Sequence, residues 1–318
     1  MTALIDNSLF IAEQFEGFVK NSFTGSLVKK CGLARHRYNS MLDPMLRVLT
    51  HIFDVIGTAM WVTQYRKGRK DANYAQPWLD NLDEEKIIQG AMLCEAAHSA
   101  YDFMRKLDFD KADSSILSTE IAAFLKTIGH LFRDRGCLRM QFGVVPYVLE
   151  LLSSQQRVYY CADHTVKTIG GKSPPSGAIE RCLGRNIAWS GLAVSVVEAE
   201  FPEFELLQAF EWLSVTKHKH GRRQEIDDER GRRHCLRLSK TFSVDAHRLQ
   251  SQHSDVIKYV WAKVEFTGMS SHDAWADVMY QMKHSTDGRH PIDALGLVVI
   301  AYLTYRLSTS KVEEIFLF

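Results

Sequence analysis

Helical periodicity constrains this chain more than any other feature of its sequence. Apolar residues recur at spacings of three and four over long segments, which is the pattern of amphipathic helices. Only seven prolines occur in 318 residues. The pattern predicts an all-α fold, a multi-helix globular bundle that can divide into two helical subdomains.

Four long helices are predicted in the first half of the chain. Asp43 and Pro44 supply an N-cap and a first-turn proline for the first of them. The four segments with helical periodicity are Leu46–Trp61, Glu84–Leu107, Ser118–Phe132 and Val144–Ala162. Asp163 follows the last of these helices directly.

The segment from Gly170 to Gly177 predicts a loop or a domain boundary, because it combines glycines with two adjacent prolines that helices and strands both avoid. We expect an HD-like helical domain at residues 1–169 and a C-terminal helical domain at residues 178–318. Within the second domain, the predicted helices are Ile179–Glu198, Glu203–Thr216, Val244–Val264 and Ser271–His284. A basic loop at residues 217–240 interrupts them.

The overall charge excludes binding that depends on a global field. Lys and Arg number 39 against 38 Asp and Glu, so the net charge is +1. Any contact with nucleic acid must be local. The six cysteines never form a CxxC pair, which is typical of reduced thiols rather than of a zinc ribbon. The most apolar stretch, Ala294–Leu303, is far below the roughly 20 residues that span a bilayer. We expect a cytoplasmic protein without membrane contact.

Short motifs in the first half resemble a known family. In chain order they are Cys31-Gly-Leu-Ala-Arg-His-Arg-Tyr38, Arg47-Val-Leu-Thr-His51, Met92-Leu-Cys-Glu-Ala-Ala-His98 and Tyr159-Tyr-Cys-Ala-Asp-His164. Their order and separations resemble HD-domain proteins, which are metal-dependent phosphohydrolases, over roughly residues 31–165. At the position of Met92–His98 that family has Leu-Leu-His-Asp-Ile-Gly-His. Cys94-Glu95 therefore replaces the His-Asp pair of the family, and the chain resembles a degenerate member.

The resemblance implies a divalent metal ion. The matching ligands are His51, Glu95 and Asp163, with Cys94 in the place of the usual histidine. His98 matches a supporting or second-metal histidine, and Arg47 matches a phosphate-binding residue. Imidazole and carboxylate together bind a borderline cation, whose water can attack phosphorus.

The altered ligand pair weakens the expectation of hydrolysis. Glutamate is one methylene longer than aspartate, and a thiolate is softer than an imidazole. The alternative interpretation is structural: Cys94 packs in a helix interface, Glu95 faces solvent and His51 is an ordinary helix histidine.

The basic stretch predicts a phosphate-binding surface. Residues 217–240 contain nine Lys or Arg and three His, enough to neutralise several phosphates. The candidate nucleic-acid contacts are Arg222, Arg223, Arg230, Arg232, Arg233 and Arg237. Four acidic residues lie within the stretch, so a solvated and partly self-paired loop is the alternative.

A third candidate site is Arg248 with His253. The R-x4-H spacing resembles that of HEPN-type ribonucleases, in which the histidine acts as base towards a ribose hydroxyl and the arginine steadies phosphate charge.

The favoured hypothesis is a helical scaffold or nucleic-acid-binding component of a larger intracellular assembly. Its contacts would be the basic stretch and the apolar C-terminus at residues 315–318. An active HD-type phosphohydrolase acting on nucleotide or nucleic-acid phosphates, and a HEPN-like ribonuclease, are the enzymatic alternatives.

Overall fold

Helices form almost all of the regular structure, which confirms the predicted all-α class. The structure is a computed structural model that describes residues 5, 8–21, 39–107, 114–200, 204–215, 218–219, 222–223, 228–284 and 292–304. The motif at residues 31–38 and the apolar C-terminus at residues 315–318 lie outside the described residues.

The chain divides into two compact units that do not follow its linear order. Among the described residues, unit 1 contains those up to Tyr101 together with Lys126–Val194, and unit 2 contains those of Asp102–Leu125 and Ser195–Glu314. Sequence reasoning placed the boundary at residues 170–177, whereas the chain remains in unit 1 until Val194.

Unit 1 consists of helices and one antiparallel hairpin. Its helices are α1 (Leu9–Asn21), α2 (Asn39–Thr50), α3 (Ile52–Tyr65), α4 (Lys70–Asn81), the first part of α5 (Glu84–Leu107), the last part of α6 (Ser114–Phe132), α7 (Val144–Ser154) and most of α8 (Ser176–Glu200). The hairpin strands are β1 (Gln156–Tyr160) and β2 (Val166–Gly170). Most of α3 is buried, so this helix forms the centre of the unit.

The predicted helix Leu46–Trp61 is in fact two helices. The chain bends by 84° between α2 and α3, at His51, whose φ of −114° and ψ of 31° leave the helical region. Pro44 lies inside α2 instead of in its first turn. Periodicity could not show the bend, because apolar residues continue at helical spacing on both sides of it.

The predicted helix Val144–Ala162 is correct only as far as Ser154. The residues after it form β1, in which Tyr159 pairs with Lys167 of β2. Val158 and two tyrosines favour a strand, and the Tyr159 hydroxyl donates to the carbonyl of Leu79 at 3.0 Å. At the end of β2, Gly170 has a φ of +78°, and a Cβ there would lie 2.1 Å from the Gln155 carbonyl oxygen. Only glycine fits this position.

Unit 2 is helical around a core of large aromatic side chains. Besides parts of α5, α6 and α8, it contains α9 (Phe204–Phe210), a 3-10 turn (Glu211–Leu213), the strands β3 (His218–Lys219) and β4 (Arg222–Arg223), and the helices α10 (Asp228–Phe242), α11 (Ala246–Thr267), α12 (Ser271–His284) and α13 (Asp293–Thr304). Trp212, Trp275 and Tyr302 are fully buried. The indole N–H of Trp275 donates to the Leu213 carbonyl at 2.9 Å, so this polar group is satisfied inside the core.

The predicted basic loop at residues 217–240 is wrong over its second half, which is α10. Gly231, Cys235 and Leu238 are buried and recur at spacings of four and three, as one side of a helix does. The density of charge hid this short apolar stripe.

Candidate functional site

His51 is buried at the bend between α2 and α3. Its side chain is 4% exposed, and Nδ1 lies 3.4 Å from Oδ2 of Asp54 in the first turn of α3. The ring also meets the edge of Phe15 with 6.2 Å between ring centroids. This histidine is therefore enclosed by neighbouring helices. Arg47, half-buried, lies one turn before it on α2.

Glu95 caps the N-terminus of α7. Its Oε1 accepts the backbone N–H of Val144 at 2.5 Å and that of Val145 at 3.4 Å. The N-cap residue, Gly143, has no side chain with which to accept these protons. Glu95 is 6% exposed, so the alternative expectation that it faces solvent is wrong. A buried carboxylate on the positive end of a helix is a structural contact.

The neighbouring Cys94 is buried inside unit 1. It is 1% exposed. Burial, reinforced by the charge of Glu95, raises the pKa of the Cys94 thiol to about 12. The thiol is therefore protonated at neutral pH, as expected for a cysteine that packs in a helix interface.

His98 and Asp163 are both exposed. Asp163 lies in the turn between β1 and β2, where its Oδ1 accepts the backbone N–H of Thr165 at 3.0 Å and the Thr165 hydroxyl at 2.6 Å. These hydrogen bonds hold the pKa of Asp163 below its usual value. Its carboxylate stabilises a turn.

The structure does not gather the predicted metal ligands. Within the described ranges, which include His51, Cys94, Glu95, His98 and Asp163, no three His, Cys, Asp or Glu side chains form a group that could hold a metal ion. These residues occur in the chain in the order that the resemblance implies. The order of the residues could not show that Glu95 already caps α7 and that Asp163 already stabilises a turn.

Arg248 and His253 do not form a common site either. They are five residues apart on α11, which places their side chains about 140° apart around the helix axis. His253 is 4% exposed, and its ring stacks on Trp212 with 3.9 Å between centroids. Arg248 forms a salt bridge with Asp293 at 2.9 Å. A base that must reach a ribose hydroxyl cannot act from within this aromatic core.

Unit 2 contains a cleft of about 630 Å³ along α11. Arg248, Asp255, Lys258 and Tyr259 line it, with Met282 from α12. Cations and carboxylates alternate around this cleft, so its charge favours no single class of ligand.

The cationic face of α10 is the most coherent charged feature of unit 2. Its outward residues include Arg232, Arg233, Arg237 and Lys240, all exposed, around Leu236, which is 59% exposed. These positions recur at spacings of three and four and therefore share one side of the helix. We call this set the α10 face.

Two predicted arginines are engaged in ion pairs. Arg237 contacts Glu205 at 2.6 Å, and Arg230 contacts Glu211 at 2.7 Å. Among the described residues, Arg232 and Arg233 have no such acidic partner. The other candidates, Arg222 and Arg223, form β4, which pairs antiparallel with β3.

Glu211 fixes α10 in place. It is 3% exposed and accepts hydrogen bonds from the hydroxyls of Ser118 and Thr119 in α6 while it pairs with Arg230. Sequence reasoning missed this residue. The available signal was a single carboxylate within the apolar run Ala209-Phe-Glu-Trp-Leu213, since a buried charge requires a partner.

No protein-family model matches the sequence, and searches of curated proteins and of solved structures found no match either. The HD-like interpretation therefore stays a prediction. Within the part of the chain that the structure describes, no single helix has both the length and the apolar character needed to cross a bilayer; α2 and α3 meet that requirement only together, as a bent pair.

Proposed function

We propose that this chain is a nucleic-acid-binding helical protein that works within a larger cytoplasmic assembly and contacts phosphates through the α10 face. The observation that carries the proposal is the cluster of exposed cations on one side of a regular helix, Arg232, Arg233, Arg237 and Lys240. A helix of about 10–12 Å diameter fits the major groove of B-DNA, which is about 12 Å wide.

The arginines of α10 are expected to contribute unequally to phosphate binding, because some of them already form ion pairs. Arg230 and Arg237 are partly neutralised by Glu211 and Glu205. Arg232 and Arg233 are therefore the residues expected to contribute most to phosphate binding. A guanidinium offers two parallel N–H donors to phosphate oxygens, so arginine suits this role better than lysine.

The contacts that hold α10 in place favour binding of a nucleic acid to the α10 face. Cys235 and Leu238 bury the inner side of the helix, and Glu211 ties its start to α6. A surface held rigid before binding loses less conformational freedom when the partner arrives.

A binding role is better supported than either enzymatic alternative. The carboxylate that a phosphohydrolase would use, Glu95, caps α7, and the histidine that a ribonuclease would use, His253, is stacked in the core. The five described cysteines are buried and form no disulfide with one another, which suits a reducing compartment such as the cytoplasm.

The test is the salt dependence of binding to a labelled DNA duplex, measured by fluorescence anisotropy. Arg232→Ala with Arg233→Ala should weaken binding at low salt and reduce the slope of log K against log salt by about 2, because two phosphate contacts are lost. Arg232→Lys with Arg233→Lys keeps the charge and should restore most of the slope.

The matched control is Lys258→Ala with Lys283→Ala, which removes two exposed cations elsewhere in unit 2. This pair should leave the slope unchanged. Equal losses in both double variants would mean that net charge alone governs binding, and an absence of binding by the unaltered chain at low salt would contradict the proposal outright.

A further inference from the structure

A second cluster of cations lies in unit 1, where α3 turns into α4. Residues 65–74 contain four cations, Arg66, Lys67, Arg69 and Lys70, and a single carboxylate. Lys67, Arg69 and Lys70 are exposed. We call residues 65–74 the α3–α4 corner. Its charge is strongly positive, although the whole chain carries a net charge of only +1.

The only carboxylate of the corner is already engaged. Arg66 contacts Oδ2 of Asp71 through Nε at 2.7 Å and through Nη2 at 2.6 Å, and this ion pair joins the end of α3 to the start of α4. Among the residues that the structure describes, Lys67, Arg69 and Lys70 have no ion pair. Three cations are therefore available to an outside partner.

Aromatic rings stand in series beside these cations. The ring of Phe10 from α1 lies 5.5 Å from that of Trp61, and Trp61 lies 5.6 Å from Tyr65. Phe10 is 57% exposed and Tyr65 is 67% exposed, so the series opens to solvent at both ends. The Arg66 guanidinium carbon lies 5.8 Å from the centre of the Phe10 ring, which connects the aromatic and the cationic parts of the patch.

The turn that presents the cations has a defined backbone. Gly68 has a φ of +79°, a conformation that other residues adopt only at a cost. The Arg69 N–H donates to the Arg66 carbonyl at 3.0 Å, and the Ala72 N–H donates to the Arg69 carbonyl at 3.1 Å. Because of these bonds the cations project from a fixed corner between two helices.

Exposed aromatic rings next to unpaired cations match the chemistry of single-stranded nucleic acid. Unpaired bases stack on aromatic faces, and a backbone of phosphates requires cations along its path. A duplex hides its base faces, so it can use only the cations. The Asp and Glu side chains of an acidic protein segment likewise use the cations but have no ring to stack on Tyr65 and Phe10.

We propose that the α3–α4 corner binds single-stranded nucleic acid. Bases stack on Tyr65 and Phe10, and phosphates contact Lys67, Arg69 and Lys70. This surface belongs to unit 1 and does not depend on the α10 face, so it adds a second binding site to the function proposed above.

The experiment uses the full chain carrying Arg232→Ala and Arg233→Ala, so that the α10 face does not contribute to the measured affinity. Affinity for a labelled pyrimidine oligonucleotide, single-stranded or annealed to its complement, is measured by anisotropy at several salt concentrations. Tyr65→Ala should weaken single-strand binding about tenfold and leave duplex binding unchanged. Tyr65→Phe should restore the affinity, and Tyr160→Ala, at an equally exposed tyrosine, should have no effect.

Removal of the cations tests the phosphate contacts. Lys67→Ala, Arg69→Ala and Lys70→Ala together should reduce the single-strand salt slope by about 2. The matched control removes three exposed cations elsewhere in unit 1, Lys126, Arg133 and Arg139.

Four results would overturn the proposal. The first is unchanged single-strand affinity in the Tyr65→Ala variant. The second is an equal loss in the matched charge control. The third is tighter binding of a polyglutamate peptide than of the oligonucleotide, which would identify an acidic protein as the partner. Loss of all single-strand binding in the Arg232→Ala, Arg233→Ala background would also refute it and leave the α10 face as the sole site.

Discussion

Replacement of Glu95 tests whether this residue is a helix cap or a metal ligand. Glu95→Ala removes the acceptor of the Val144 N–H and leaves the first turn of α7 without a side-chain partner. A hydrogen bond to a charged group contributes about 1.5–3 kcal/mol. The positive end of α7 adds up to about 1 kcal/mol. The bond to Val145, at 3.4 Å, adds little.

We therefore expect Glu95→Ala to lower the free energy of unfolding by about 3 kcal/mol. Glu95→Gln keeps an oxygen acceptor of the same reach but loses the charge, so its cost should be about 1 kcal/mol. With a urea m-value of about 3 kcal/mol/M, the alanine variant should lose about 1 M in its unfolding midpoint.

Gly143 offers an independent perturbation of the same contact. A Cβ at this position would lie 2.9 Å from Oε1 of Glu95, so Gly143→Ala must displace the carboxylate. Because both changes disturb one contact, Gly143→Ala should cost less in the Glu95→Gln background than in the unaltered chain.

Urea unfolding followed by circular dichroism, with and without Mn²⁺ or Zn²⁺, measures these effects. If Glu95 is a helix cap and not a metal ligand, neither ion should change the urea midpoint of unfolding. If the ions stabilise the unaltered chain and this stabilisation disappears in Glu95→Gln, or if Glu95→Ala is neutral, the capping argument is refuted.

Two further predictions concern buried ionisable groups. Glu211→Gln should lower the free energy of unfolding, measured by thermal denaturation, by about 2 kcal/mol, because it removes the charge that pairs with Arg230. Glu205→Gln, at an exposed ion pair, should change the free energy of unfolding by less than about 0.5 kcal/mol. Equal effects of the two substitutions would contradict the role of Glu211 as an anchor of α10. Burial raises the pKa of Cys94 to about 12, so above about pH 9 the unfolded chain binds fewer protons and stability should fall, by up to about 1.4 kcal/mol per pH unit for this thiol. Cys94→Ala should flatten the decline measured between about pH 8 and about pH 10, and an unchanged slope would refute the assignment.

Helical periodicity was sufficient to predict the class of fold and several helix boundaries. The predicted segments Glu84–Leu107 and Ser271–His284 coincide with α5 and α12. A long apolar stripe on a helix is buried against neighbouring elements in almost any helical protein. The local sequence pattern is therefore sufficient to predict such helices.

The errors arose where tertiary contacts outweigh local pattern. Periodicity continues through the bend at His51, and β1 begins only two residues after the end of α7. The use of Glu95 as a cap depends on Gly143, nearly fifty residues away. The α3–α4 corner was missed because Phe10 belongs to α1 and reaches the aromatic and basic residues of the corner only through folding.

The discontinuous course of the two units has a consequence for protein synthesis. Asp102–Leu125 is made early, yet the rest of unit 2 follows only after about 70 residues of unit 1. At roughly 5–20 residues per second, this delay lasts about 4–14 s. Throughout it, Phe103 and Phe124, which are buried and stacked on each other in the finished protein, lack the residues from Ser195 onwards. A nascent chain of this kind is a natural client for a chaperone, and a fragment cut at residue 169 would contain neither unit whole.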